Sequence, residues 1–326
     1  MYLEDIKFSL WADFIEREYL DGEFKELIEK KIINGATSNP AIFKNAILTS
    51  EAYKEQLKLL DGFSAKEKYE ALAIHDIQKA ADILKPLYDA GDDGYVSIEV
   101  DPFLCDDADA TIAEGKRLFD RIDRKNVMIK VPATDAGYKA MEELIAYKIP
   151  VNATLIFTKE QAIGCAKAFE RGLAQHNEAV DSVISVFVSR VDRALDKILV
   201  EKGVTPALSG IYNAAAIYNS VEALNVTNTR TLFASTGVKD NSLAPYYYVS
   251  ELLAPNSVNT APIDTIKAFD KDGTKEQKLP ISQDIIDAHF EKVAAAGIDF
   301  EAELHKQVAD GLEAFKVAFS EILEEL

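Results

Sequence analysis

The chain has 326 residues, which fits one large domain or two ordinary ones, and 48% of them are hydrophobic, enough for a sizeable core. Its 36 basic and 55 acidic side chains give a net charge of −19. Because nucleic acids and anionic membranes are bound through basic surfaces, this charge argues against either as the main partner.

Eight short segments along the chain have the composition of buried strands. They are rich in β-branched residues, and turn or helix-capping residues follow most of them. The predicted strands are 8–14, 34–40, 95–100, 127–133, 151–157, 183–189, 231–235 and 257–262.

Helical segments alternate with these strands. A helix over about 66–88 carries an apolar stripe at helical spacing, made of Ala73, Ile77, Ala80 and Leu84. Thr158 and Gln161 have the spacing of a capping box directly after the fifth strand. About 50 residues separate the second and third strands, which leaves room for two helices.

The last segment, from about residue 263, is predicted to be a helical tail. It holds two acidic amphipathic helices, roughly 282–296 and 299–325. The tail could pack across the rest of the protein, cover an opening or mediate a homodimer, and its apolar stripe favours packing. No linker-like or low-complexity stretch interrupts the chain, so residues 1–326 are expected to form one domain with a C-terminal extension at about 263–326.

Strand–helix alternation predicts a parallel sheet with right-handed crossovers. Eight strands favour closure into an α/β (β/α)8 TIM barrel. A doubly wound open sheet would have fewer strands and usually a glycine-rich first turn, and neither GxGxxG nor GxxxxGK[ST] is present.

Cysteine and histidine content is low. Cys105 and Cys165 are too few for a disulfide framework, and with four histidines they form no zinc-binding spacing. The first residues lack the pattern of a secretion signal, and no uncharged apolar run approaches the roughly 18 residues of a membrane span. A reduced, cytoplasmic, soluble protein is therefore expected.

Polar side chains interrupt nearly every predicted strand, and most lie near the strand's C-terminal end, where barrel active sites are built. Both faces of a barrel strand are buried, so such side chains need partners or a function. They are Asp13, Thr37, Asn39, Glu99, Lys130, Asn152, Thr154, Ser185 and Ser235.

Lys130 is the most informative of these residues, because it interrupts the apolar strand VMIKVP. Burial disfavours the ammonium form of a lysine, and a neutral amine is what Schiff-base chemistry requires. Lys130 could equally reach solvent or pair with Glu99 in a purely structural role. Asp13 and Glu99 could cap helices, but together with Lys130 they form a set suited to proton transfer around a carbonyl.

Two basic residues follow the last strands of the predicted barrel. Arg190 lies just past the sixth predicted strand and Lys239 just past the seventh, where barrels commonly bind phosphate. Arg190 could instead pair with Asp192 or Asp196, and Lys239 could be a solvated loop lysine. The acidic run 101–110 is better explained by helix capping than by metal binding, so neither a metal nor a cofactor is expected.

The chain resembles the transaldolases in six sequence motifs. The motifs, in the family's order, are GATSNPAIF (35–43), SIEVDP (97–102), VMIKVPAT (127–134), NATLIF (152–157), SVFVSRVD (185–192) and ASTGVK (234–239). The length and tail resemble the longer bacterial branch and not the shorter fructose-6-phosphate aldolases.

The resemblance implies a metal-free (β/α)8 enzyme of the pentose phosphate pathway. It would transfer a dihydroxyacetone unit from sedoheptulose 7-phosphate to glyceraldehyde 3-phosphate, giving erythrose 4-phosphate and fructose 6-phosphate.

The resemblance also assigns roles to individual residues. Lys130 would form the Schiff base and Asp13 would be the acid/base, while Glu99 and Thr154 would hold a water used in proton transfer. The substrate-binding residues would be Asn39 and Asn152 for the three-carbon unit, and Ser185, Arg190 and Ser235 near the carbonyl and the phosphate.

The chain departs from the family pattern at two positions. Gly237 stands where many relatives have an arginine, and we expect Lys239 to replace that cation. A lysine expected after Gly210 is also absent.

Three alternatives remain open: an aldolase that releases dihydroxyacetone, a non-catalytic sugar-phosphate-binding barrel, and a metal-dependent barrel enzyme.

Overall fold

A computed structural model of the chain describes residues 2–239 and 242–326. Eight parallel strands close into a barrel, with each strand paired to the next and the last paired to the first. The strands are β1 (Ser9–Ala12), β2 (Gly35–Ala36), β3 (Val96–Glu99), β4 (Val127–Pro132), β5 (Val151–Ile156), β6 (Ser182–Phe187), β7 (Thr229–Ala234) and β8 (Val258–Ala261). The predicted (β/α)8 barrel is therefore confirmed.

Helices surround the barrel. They are α1 (Arg17–Asp21), α2 (Glu23–Glu29), α3 (Pro40–Thr49), α4 (Lys54–Leu59), α5 (Ala65–Asp89), α6 (Ala108–Ile122), α7 (Asp135–Ala146), α8 (Lys159–Leu173), α9 (Ser189–Glu201), α10 (Ser209–Leu224), α11 (Tyr247–Glu251), α12 (Ile263–Asp272), α13 (Gln283–Ala295) and α14 (Phe300–Glu325). None of the helices in the described ranges is long and apolar enough to cross a membrane.

The second strand is shorter than the sequence predicts. The segment 34–40 keeps only two residues in the ladder, because Asn39 turns out of the sheet to cap α3 and Pro40 occupies its first position. The segment between β2 and β3 holds three helices, α3, α4 and α5, where room for two was expected. The predicted stripe of α5 is buried against the barrel, and the predicted capping box of α8 is present.

The amino ends of the strands are closed by a buried ion pair. The Asp93 carboxylate, just before β3, accepts hydrogen bonds from Arg230 at 2.7 Å and from the Trp11 indole at 3.0 Å. An isolated buried carboxylate is costly, and these two donors compensate it. The amino end of the barrel is therefore filled by buried side chains, and a site can form only at the carboxyl end.

The fifth strand carries an irregularity near its carboxyl end. Its pairing with β6 shifts register between Ala153 and Ile156, and Leu155 adopts a φ of 58°. A left-handed conformation costs a leucine roughly 1–2 kcal/mol, and such strain is held by its surroundings. The bulge turns Leu155 toward the open end of the barrel, where α14 packs against it.

The tail helix α14 crosses the carboxyl end of the barrel and contacts α3, α5, α9 and β5. Lys44 of α3 forms a 2.6 Å ion pair with Glu321, and the Phe319 ring packs edge-on against Tyr69 with a centroid distance of 5.1 Å. The expectation that the tail packs on the barrel is met, and α14 also lies over the opening.

Candidate active site

A cavity of about 280 Å³ opens at the carboxyl end of the strands. Its wall is formed by Asp13, Thr37, Asn39, Ala41, Ile42, Asn45, Lys130, Thr154, Ser185, Phe187, Arg190, Ala234, Ser235, Thr260, Ala314 and Phe315. A larger depression of about 750 Å³ lies on the outside between α5 and α6, away from every strand end that carries the polar side chains. The smaller cavity is the candidate site because seven of the polar strand residues converge on it.

Lys130 lies at the centre of the site. It is 5% exposed, and in the sheet it is flanked by Glu99 on β3 and Asn152 on β5. Its Nζ donates a hydrogen bond to the Ser38 carbonyl at 3.1 Å and lies 3.5 Å from Glu99 Oε2, a long contact for an ion pair. Lys130 therefore does not extend to bulk solvent, and its contact with Glu99 is too long to hold the amine tightly.

Glu99 lies beneath the cavity next to Lys130. Neither of its carboxylate oxygens has a hydrogen-bond partner within the described part of the chain, and the same holds for Thr154 Oγ1. Burial raises the pKa of Glu99 from 4.5 to about 7, with Lys130 acting in the opposite direction. Near neutral pH, Glu99 can therefore both accept and donate a proton.

Asp13 follows β1 and faces the cavity, so its side chain is only partly covered. Its Oδ1 accepts a hydrogen bond of 2.8 Å from the Thr37 hydroxyl, which lies 2.6 Å from Thr260 Oγ1. Because Thr37 has one proton and gives it to Asp13, Thr260 must donate to Thr37. Desolvation raises the pKa of Asp13, and the charge of Lys130 opposes that shift.

Asn152 and Ser185 belong to a buried chain of hydrogen bonds below the cavity. Ser185 Oγ donates to Asn152 Oδ1 at 2.6 Å, and Asn152 Nδ2 donates to Ser97 Oγ at 3.0 Å. Ser185 reaches the cavity wall, whereas Asn152 is fully buried beneath it. Asn39 accepts from the Ile42 amide at 3.1 Å through Oδ1, so its Nδ2 group is the part left to bind a ligand.

Arg190 supplies a second positive charge to the cavity wall. Its guanidinium lies 5.0 Å from the Phe187 ring and, among the described residues, forms no ion pair with either Asp192 or Asp196. Asp192 Oδ1 instead accepts a hydrogen bond of 2.8 Å from the Gly210 amide. Burial lowers the pKa of Arg190, and the charges of Asp13 and Glu99 oppose that shift.

Comparison with known families identifies the chain. The family model of the transaldolase/fructose-6-phosphate aldolase family matches residues 10–326. The chain belongs to this family. A protein of Campylobacter jejuni subsp. doylei named transaldolase is 46% identical over 330 residues, covering 98% of this chain and 99% of the relative. A transaldolase of Helicobacter pylori strain Shi470 is 44% identical over 318 residues, covering 97% and 98%.

Membership of the transaldolase/fructose-6-phosphate aldolase family makes the two departures from its pattern informative. A Cβ at Gly237 would lie 3.0 Å from Pro262 Cγ, so this position has little room for a side chain. Lys239 lies outside the cavity wall, in a neighbouring depression with Ser189 and Arg193. The other departure, Ile211 after Gly210, is buried in the core.

Thr260 and Phe315 are among the wall residues that the sequence does not single out. Thr260 on β8 was one polar residue in a short strand, SVNTAP, and its position at the strand's carboxyl end was the available signal. Phe315 lies in the tail, within the apolar stripe that favours packing. The four histidines lie outside the cavity wall.

Proposed function

We propose that this protein is a transaldolase that transfers a dihydroxyacetone unit from sedoheptulose 7-phosphate to glyceraldehyde 3-phosphate, giving erythrose 4-phosphate and fructose 6-phosphate. The observation that carries the proposal is a buried lysine, Lys130, that reaches a cavity between two carboxylates, Asp13 and Glu99. The names of the family members that match nearly the whole chain support the same activity.

In the first step, the neutral amine of Lys130 adds to the C2 carbonyl of the ketose. The carbinolamine loses water and becomes an iminium ion, which attracts electrons from the neighbouring bonds. Glu99 and Thr154 have polar atoms available to hold the departing water. A carboxyl group with a pKa of about 7 suits the proton transfers that make and break this water.

In the second step, Asp13 accepts the proton of the C4 hydroxyl while the C3–C4 bond breaks. The bonding electrons pass into the iminium group, which leaves an enamine on Lys130 and releases the aldose. The hydrogen bond from Thr37 fixes Oδ1 of Asp13, so Oδ2 is the oxygen available for the proton.

The enamine must stay in place until the second aldehyde arrives. Asn39 and Ser185 lie on the cavity wall and can bind the two hydroxyls of the three-carbon unit, and Asn152 orients Ser185 from below. Their hydrogen bonds hold the carbon nucleophile in position for the acceptor. The same steps then run in reverse with glyceraldehyde 3-phosphate.

The phosphate of each substrate would bind at the late strands. Arg190 and Ser235 line that part of the wall, and the amino end of α9 lies beside them. Lys239 would add long-range positive charge from the neighbouring depression, in place of an arginine at position 237. We infer that Arg190 makes the direct contact and that Lys239 contributes less.

The test is borohydride reduction in the presence of fructose 6-phosphate, followed by mass spectrometry of the peptide that contains Lys130. A covalent three-carbon adduct is expected on the native protein and none on Lys130→Met, which keeps an unbranched side chain but removes the amine. Lys7→Met changes an exposed lysine and should leave the adduct unchanged. An unmodified Lys130 peptide in the native protein would favour the non-catalytic binding barrel.

Two further measurements separate the remaining alternatives. Product analysis with and without an acceptor aldehyde distinguishes transfer from the release of dihydroxyacetone. Activity assayed with EDTA distinguishes this mechanism from a metal-dependent barrel enzyme, and full activity is expected.

A further inference from the structure

The tail helix α14 supplies part of the cavity wall, although it lies outside the barrel. Ala314 and Phe315 face the cavity one turn after the position where Gly311 crosses the bulge of β5. A Cβ at Gly311 would lie 3.0 Å from Leu155 Cδ2 and 3.5 Å from Arg190 Nη1. The helix is therefore seated closely on the barrel, which fixes the position of the Phe315 side chain.

The Phe315 ring lies over the reactive amine. It is 5% exposed, and its centroid is 5.7 Å from Lys130 Nζ. On the barrel side, the Glu99 carboxylate lies 3.5 Å from the amine, and Thr154 lines the same cavity. Phe315 thus places an apolar surface opposite Glu99 and Thr154, the polar groups that would bind the water of Schiff-base formation.

An enamine on Lys130 has two fates. It can attack an acceptor aldehyde, which is transfer. Alternatively, C3 of the enamine takes a proton to give an iminium ion, water adds to the iminium carbon C2, and the C2–N bond breaks to release dihydroxyacetone and the free amine. The second route consumes a proton and a water molecule, and no electrons are gained or lost.

We propose that Phe315 keeps water away from the bound three-carbon intermediate and thereby sets the ratio of transfer to dihydroxyacetone release. The inference rests on the proposed function, because it requires a covalent intermediate on Lys130. Phe315 acts as a positioning and shielding residue, and the bond-making groups remain those of the barrel.

The experiment compares dihydroxyacetone release from fructose 6-phosphate without acceptor with transfer in its presence, for native protein, Phe315→Leu and Phe315→Ala. Phe315→Ala removes the apolar surface beside the amine and should raise the release-to-transfer ratio by about tenfold, which corresponds to about 1.4 kcal/mol. Phe315→Leu keeps an apolar side chain and should raise it less, and it keeps the test available if the alanine variant folds poorly.

The matched control is Phe319→Leu. Phe319 lies one turn further along α14 and packs against Tyr69 and Phe103, away from the cavity. This variant loosens the same helix without opening the site, so its release-to-transfer ratio should equal that of the native protein.

The proposal is overturned if the Phe315 variants keep the native ratio, or if Phe319→Leu raises the ratio as much as they do. Borohydride trapping on the native protein separates this failure from a failure of the proposed function. If the adduct forms and the ratio does not move, only the role of Phe315 is wrong. If no adduct forms, the proposed function fails first.

Discussion

The ionisation of Glu99 should lower the stability of the folded protein by a measurable amount. Burial raises the pKa of Glu99 from 4.5 to about 7. The folded protein then retains a proton that the unfolded chain has released, so the free energy of unfolding falls as the pH rises from about 4.5 to about 7. At about 1.4 kcal/mol per pKa unit, about 3 kcal/mol present at pH 4 is lost by pH 8.

Glu99→Gln removes this titration and nearly preserves the shape of the side chain. The unfolding free energy of the variant minus that of the native protein should therefore rise by about 3 kcal/mol between pH 4 and pH 8, whatever its starting value. Urea unfolding at several pH values, followed by the fluorescence of the single, buried Trp11, measures this difference.

Glu67→Gln provides a control of opposite sign. Hydrogen bonds from Ser64 lower the pKa of the exposed Glu67, so that carboxylate stabilises the fold once it is ionised. The difference for Glu67→Gln should move in the other direction with rising pH. A Glu99→Gln difference that is constant with pH, or that follows the direction of Glu67→Gln, would refute the reasoning from burial.

Three further predictions concern catalysis. Asp13→Ala should lower kcat by about 10²–10⁴-fold while borohydride still traps a Schiff base on Lys130, now carrying the uncleaved six-carbon ketose, and loss of both would contradict a role limited to acid/base catalysis. Arg190→Gln should raise KM for phosphorylated substrates more than Lys239→Gln, because only Arg190 lines the cavity; equal effects would count against this assignment. The net charge of −19 makes overall steering of anionic substrates unfavourable, so added salt should raise or barely change kcat/KM. A steep fall of kcat/KM between low and moderate salt would argue against that expectation.

The strands and the lysine were predictable from the sequence because their signals are local. A short apolar run predicts a buried strand whatever surface the strand packs against. Lys130 is conspicuous because it interrupts such a run. The shared face of Asn152 and Thr154 likewise follows from the two-residue period of a strand. The barrel geometry then brings the carboxyl ends of all eight strands to one place, so most candidate residues converge without further information.

The contribution of Phe315 could not be predicted in this way. An apolar stripe on a helix indicates that one face is buried, but it does not identify the surface against which that face packs. The cavity position of Phe315 depends on how α14 crosses the barrel, which rests on Gly311 meeting Leu155. The left-handed conformation of Leu155 is set by tertiary contacts and has no signal in the sequence.

The hydrogen bonds from Thr260 to Thr37 and from Thr37 to Asp13 join the last strand of the barrel to its first two. Pairing of β1 with β8 has the largest sequence separation of any contact between strands, so it carries the greatest loop-closure cost during folding. The hydrogen bonds that hold Asp13 in place can be complete only after β1 has paired with β8. Recovery of activity in a refolding experiment should therefore lag behind recovery of helical circular dichroism, and activity reports closure of the ring.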